Sequence, residues 1–391
     1  ADANNRCVSM REARAGHVAV RLQDGRVLIA GGFGRVNAGA GESFRKTAEI
    51  YDPVEGRFAR VADACAGDTC LQAGHARGVL LPDGRVLIAG GETTGGVAVK
   101  TAMIYDPETD AWTATEMASA RRGHTMHVIS GKVLVIGGRD ETRAVLDTTE
   151  VFDPATGEFT EGPKIPGLTG GDAPNAPGRA FHVGIELNPT TVMIAGGIDG
   201  DGDPARSIVV FQSAPGGFNV LARPTLLASE AVGAGGGNVA GKAVVAGGSL
   251  QVLPDGRIDP TELTNSVQYF DPTQANGEVA TTELRHARLE PCVVDMDANR
   301  LLVAGGLVGT DQPTDFAEVL SWDVSNGELD RNFVGISGTE GRSKMKVKRA
   351  WATCTRLDDD RILVTGGLSA TNGPTSVVSS AETFLIPRPA N

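Results

Sequence analysis

Five arginines, Arg14, Arg121, Arg179, Arg288 and Arg349, each stand a short step before an apolar run, and Gln72 and Glu230 take the slot in two further runs. Brought together at the mouth of a channel, planar guanidinium groups would grip a carboxylate or sulfate through paired N–H donors. His17, His75, His124 and His182 follow three residues later in the first four runs. Residues that recur in step suit a second role better, tying the inner strands together, because repetition is what structure demands while a site breaks symmetry. A different chemistry is offered by Asp199, Asp201 and Asp203, whose alternation resembles a calcium loop of hard oxygen ligands. Pro204 stands where such loops carry Gly and no Glu follows at the ligating distance, so a solvated turn is the competing reading. Further loops add Asp255, Asp259, Glu262, Asp311 and Asp315, and the one basic cluster, from Arg342 to Arg349, is either a solvated connection or an anion site.

The cysteines point away from metal. Cys65 and Cys70, with His75 nearby, lack the C-x-x-C spacing and a fourth ligand for zinc. Their spacing within a small Ala, Gly and Asp loop suits a disulfide and hence an oxidising compartment: extracellular, periplasmic or cell-surface. Cys7 is left over.

What positions these residues is a repeat. An apolar strand ending in a Gly pair occurs seven times, at Gly31-Gly32, Gly90-Gly91, Gly137-Gly138, Gly196-Gly197, Gly247-Gly248, Gly305-Gly306 and Gly366-Gly367. Each is preceded by another β-rich run and a short turn such as Asp24-Gly25 or Asp83-Gly84, which is hairpin chemistry. A polar loop of variable length follows, then a third strand such as Ala48 to Pro53, and a short fourth strand with an aromatic at Phe58, Trp112, Phe159 or Phe218. Four antiparallel strands per repeat make a propeller blade, and such blades must stack around an axis to bury both faces. The fold class expected is therefore all-β, a seven-bladed β-propeller of four-stranded blades. The blades fall at about 12–61, 74–115, 122–161, 179–222, 229–282, 288–334 and 349–386 within a single domain over 1–391. The last blade runs out of chain one strand short. Residues 6–10, which align with Trp112 to Met117, are expected to supply that strand and close the ring. In this register Cys292 and Cys354 lie on innermost strands of adjacent blades and read as small buried apolar residues.

The Gly pair after an apolar strand, with a spaced Tyr and Trp, resembles the kelch family. The resemblance covers almost the whole chain, is strong in blades 1 to 3 and degrades later, where Gln212-Ser213 replaces Asp-Pro and Trp322 stands in for the Tyr. It implies an interaction platform. Some similar propellers are oxidases with a copper-tyrosyl radical centre of two Tyr, two His and a Cys. Here Tyr51, Tyr105 and Tyr269 all belong to the repeated third strand. Sialidase-like propellers need a Tyr nucleophile and Ser-x-Asp-x-Gly turns, which this chain does not offer.

Composition bounds the partners. With 36 basic and 48 acidic residues, net −12, nucleic acid is disfavoured, since phosphate binding needs a surplus of Lys and Arg. No run approaches the length of a transmembrane helix. The start, Ala1 to Cys7, lacks a signal-peptide pattern, which leaves either a cytosolic chain or a leader preceding residue 1. The long second-to-third strand loops and the blade connections share one face, where function is expected. The first expectation is a non-catalytic monomer that binds a protein or glycan there, with no cofactor unless calcium is held. The alternative is an enzyme on an acidic sugar, using the arginine ring and a carboxylate such as Glu230 or Glu12.

Overall fold

The computed structural model describes residues 8–36, 40–168, 175–274, 277–332, 344–357, 360–370 and 375–385. Residues 6, 7, 342, 343 and 386, named above, lie outside them. Every regular element among the described residues is a β-strand, and seven antiparallel sheets form a ring. In blade 1 the order outward from the axis is Val18–Arg21, Val27–Ala30, Ala48–Asp52 and Arg57–Arg60. Blades 2 to 6 repeat this order, from Arg77–Leu80, Thr125–Ile129, Val183–Asn188, Gly235–Val239 and Cys292–Asp297 as innermost strands. Blade 7 is built from Thr353–Arg356, Arg361–Thr365 and Ser380–Leu385, and Val8–Ser9 adds its outermost strand by pairing Val8 with Ala381. The two ends of the chain thus share a sheet, so the ring closes without a free edge at the junction.

The second strands read VLIA, VMIA or LLVA without alternation because each is sandwiched between neighbouring blades. Val27 to Ala30 are fully buried, as are Val86 to Ala89. The core is accordingly divided among the junctions. Leu28 and Ile50 of blade 1 pack on Ile88 and Tyr105 of blade 2, while Val27 and Ile29 face Leu357 and Leu363 of blade 7. Cross-strand aromatic pairs fill the outer half of the first three blades: Tyr51 with Phe58 at 4.9 Å, Tyr105 with Trp112 at 4.8 Å and Phe152 with Phe159 at 4.9 Å. In blade 4 the partner of Phe211 is Val220, and Phe218 sits opposite Ser213, two residues out of the repeat's register.

Two disulfides are present among the described residues. Cys65–Cys70 closes a ribbon in the connection from blade 1 to blade 2, as the spacing suggested. Cys292 and Cys354 are corrected: they are bonded to each other rather than packed as apolar thiols. The innermost strands of blades 6 and 7 converge toward the axis, which brings the two Cα atoms to 5.8 Å, within bonding reach.

Peptide mapping without reduction should recover both pairs, and free thiol at Cys292 or Cys354 in the denatured, unreduced protein would contradict the second. Because Cys292–Cys354 spans a separation of 62 residues, replacing both by Ala should cost about 4 kcal/mol, or roughly 5 °C in Tm, and the Cys65/Cys70 pair should cost less.

Candidate functional site

Each blade is approached through one short turn, and in five blades that turn opens on the repeated arginine. All five guanidinium groups are wholly inside the protein, at 0% exposure. Arg121 donates from Nη1 to the carbonyls of Gly137 and Thr148, and from Nε and Nη2 to Glu150 Oε1 at 3.1 and 2.9 Å. Glu150 in turn accepts the N–H groups of Ala118 and Ser119, just before the arginine. Arg14 with Glu49, Arg288 with Glu318 and Arg349 with Glu382 build the same clamp. A buried ion pair is tolerable when its remaining donors and acceptors are satisfied in this way. The expected ring of ligand-gripping arginines at the mouth is therefore corrected. These side chains hold strands, and the acidic-sugar enzyme that rested on them loses its basis.

The other members of that set are placed differently as well. Ala73 and Ala231 fill the arginine slot in blades 2 and 5, as their carbonyls accept from Gly32 and Gly197 just as the Arg121 carbonyl accepts from Gly91. Gln72 and Glu230 lie one residue upstream, Gln72 exposed and Glu230 half-buried. Blade 2 has lost the glutamate too: Met103 occupies its place, while in blade 5 Gln268 does, accepting from Ser229 N–H. Arg179 keeps its slot without a glutamate, because Val209 stands there; it donates to Ser207 Oγ. Burial draws Arg179 down to about 10, against the attraction of Asp199. Asp199 itself is buried, and its carboxylate accepts N–H groups from Ala176, Asp201 and Asp203 at 3.0 to 3.1 Å, with the side chains of Asp201 and Asp203 exposed. Among the described residues no cluster of three or more His, Cys, Asp or Glu is placed to hold a metal ion. In the basic cluster Lys344 lies 3.4 Å from Asp315 and over the Phe316 ring, and Arg349 belongs to its clamp.

His17, His124 and His182 are buried between blades. His17 Nε2 meets Thr353 and Thr365 at 2.9 Å, and His182 Nε2 meets Thr125 at 2.9 Å. Burial, aided by nearby arginines, lowers His17 and His124 to about 3 and His182 well below the ordinary range, so all three are neutral. His75 is not their counterpart, since the register of blade 2 is shifted by one. It belongs to a different ring.

That ring is the residue two past the arginine slot, which takes a positive φ in every blade: Gly16 (57°), His75 (55°), Gly123 (64°), Phe181 (54°), Gly233 (65°), Glu290 (48°) and Trp351 (55°). Backbone bonds pass from blade to blade along it, Gly16 N–H to Trp351, His75 N–H to Gly16, Phe181 N–H to Gly123, Gly233 N–H to Phe181 and Glu290 N–H to Gly233. Glycine adopts this conformation freely, whereas each side-chain-bearing residue costs about 1 kcal/mol. Here the symmetry breaks, for His75, Phe181, Glu290 and Trp351 are bulky and surround an axial chamber of about 190 Å³.

The chamber is polar and aromatic at once. His75 Nδ1 pairs with Glu92 Oε1 at 3.0 Å, and Arg122 takes the other oxygen of Glu92. Trp351 Nε1 donates to Glu290 Oε2. Phe33 is edge-on to both the His75 and Trp351 rings, with centroids 5.7 and 5.8 Å away. The guanidinium groups of Arg122 and Arg139 lie 5.5 and 5.7 Å from the Phe181 ring centre. Arg77, from the innermost strand of blade 2, donates Nε to the His124 carbonyl at 3.1 Å. Burial alone would lower His75, but Glu92 and Glu290 outweigh it and leave it raised. Burial would likewise raise Glu92, and His75 with Arg122 holds it down at about 2. Apart from His75, none of these residues had been singled out. The available signal was the change from Gly16 and Gly123 to Phe181, Glu290 and Trp351 at one step past Arg-x.

Ring closure, clamp and axial collar define a seven-bladed β-propeller. Residues 73–114 and 120–166 match the kelch motif, and the chain is a kelch-repeat propeller. No curated protein matches it. Among solved structures, that of YjhT is 12% identical with a TM-score of 0.59, covering 83% of this chain and 99% of that one. A fungal alcohol oxidase of the AA5 family, in complex with copper, is 18% identical with a TM-score of 0.69, covering 98% of this chain and 76% of that one. At these identities the likeness is one of fold. The residues of a copper-tyrosyl centre are not assembled here: Tyr51, Tyr105 and Tyr269 are buried in third strands, and none borders the chamber.

Two outcomes follow for stability. Arg121→Ala strands the buried Glu150 and should cost about 3–5 kcal/mol in urea denaturation, whereas Arg121→Ala with Glu150→Met should cost less, since blade 2 already holds Ala73 and Met103 in those places. An equal or greater loss in the double variant would count against the clamp. Second, the unfolded chain binds protons to His17, His124 and His182 that the folded chain refuses, so stability is full above about pH 6.5 and falls as pH drops toward 3. His75 carries the opposite sign, its contribution being present below pH 6.5 and lost as pH rises through its raised value. Tm measured from pH 7 to 4 should fall, and His17→Gln with His182→Gln should flatten the slope.

Proposed function

We propose that this kelch propeller is a binding protein that seats a terminal group of a protein or glycan partner in its axial chamber. The ribbons on the same face make the surrounding contacts, among them Phe33–Val36 with Ala40–Phe44 and Glu92–Thr93 with Val97–Ala98. One observation carries the reading: four bulky side chains hold left-handed backbone around one cavity, at positions where glycine serves in the other three blades. Strain of this kind persists where the surrounding fold enforces it, and it clusters at functional sites. Aromatic faces beside charged hydrogen-bonding groups are what a small polar ligand requires. The two disulfides favour an oxidising, extracellular setting.

Trp351→Gly and Phe181→Gly offer a direct test, because glycine fits the local φ of 55° and 54° and the backbone need not move. Each variant should keep Tm within a few degrees and lose at least tenfold in affinity for ligands found on glycan and peptide arrays. Unchanged binding by both variants would remove the chamber from the site.

A further inference from the structure

Most charges around the collar are already engaged. Glu92 is shared between His75 and Arg122, and Arg139 reaches the Gly256 carbonyl and the Phe181 ring. Two are different. Arg77 uses only Nε, on the His124 carbonyl, and Glu290 has one oxygen taken by Trp351 Nε1. Neither forms an ion pair with any described residue, although both border the same cavity and carry opposite charge. Arg77 is exposed and Glu290 half-buried at the cavity, so the two attract each other through open space and leave hydrogen-bonding atoms free for a ligand between them. A neutral polyol would supply hydrogen bonds without charge, and a simple anion or cation would complete one side only.

Resting on the binding reading above, we propose that the chamber selects a small zwitterion, with an anionic oxygen group against Arg77 and a cationic nitrogen against Glu290, beside the faces of Trp351 and Phe181. The guanidinium plane of Arg77 suits a carboxylate bidentately. An ammonium at Glu290 would share the carboxylate with the Trp351 indole N–H, which already holds the other oxygen in place. A cavity of about 190 Å³ is smaller than the pockets that hold drug-sized ligands and matches one amino-acid-sized zwitterionic group, free or at the end of a partner.

Calorimetry on the full chain with L-leucine, N-acetyl-L-leucine, L-leucine methyl ester and glucose tests this. L-leucine should bind, and each blocked derivative should bind at least tenfold more weakly. Arg77→Met should abolish the preference for the free acid over the ester, and Glu290→Gln the preference for the free amine over the N-acetyl form. Equal binding of the blocked derivatives would overturn the proposal, as would failure of L-leucine to bind. Glucose binding that is lost in Trp351→Gly would also sink the zwitterion while leaving the chamber as a ligand site. Array ligands that bind Trp351→Gly and Phe181→Gly as well as the native chain would instead remove the chamber reading itself.

Discussion

A single backbone hydrogen bond, repeated at every blade junction, sets the geometry of this ring. The N–H of the second glycine in each pair donates to the carbonyl at the arginine slot of the next blade: Gly32 to Ala73, Gly91 to Arg121, Gly138 to Arg179, Gly197 to Ala231, Gly248 to Arg288, Gly306 to Arg349 and Gly367 back to Arg14. The approach is so close that a Cβ on the first glycine would collide with the same carbonyl, at 2.1 Å for Gly137 and 2.3 Å for Gly366. Both glycines also hold positive φ at every junction. The pairs recur because no other residue satisfies both conditions at once.

From that contact the other repeated features follow. The slot's carbonyl is given to the preceding blade, and in the clamped blades its side chain turns back into its own blade. Arg14 reaches Gly31, Thr47 and Glu49, while Arg349 reaches Gly366, Ser380 and Glu382. One residue therefore ties two blades through its main chain and its side chain. Where the clamp is missing in blade 2, arginine and glutamate are absent together, as expected when a buried charge is costly without its partner.

The same turn that holds the ring also forms the site. Two residues past the slot the backbone is left-handed in every blade, and the residues there border the chamber. At Gly16 and Gly123 the missing Cβ makes room for the neighbouring His75 and Phe181 rings, while His75, Phe181, Glu290 and Trp351 line the chamber. The Cys292–Cys354 bond joins the innermost strands that follow Glu290 and Trp351 in the chain, and the Trp351–Glu290 hydrogen bond joins the same two blades. Rigidity on that side of the chamber has both a covalent and a polar source.

By itself the sequence determined the number of blades, the strands of each, the closing of the last blade by Val8–Ser9 and the Cys65–Cys70 bond. These are consequences of local spacing, and local spacing is written along the chain. Tertiary structure alone decided which way the arginines point, that Ala73 and Ala231 rather than Gln72 and Glu230 share their slot, and that Cys292 meets Cys354 across 62 residues. It also decided that His75, Glu92, Glu290 and Trp351 border one cavity. Their proximity is set by closure around an axis, where residues from every blade meet at distances that no spacing within a repeat records.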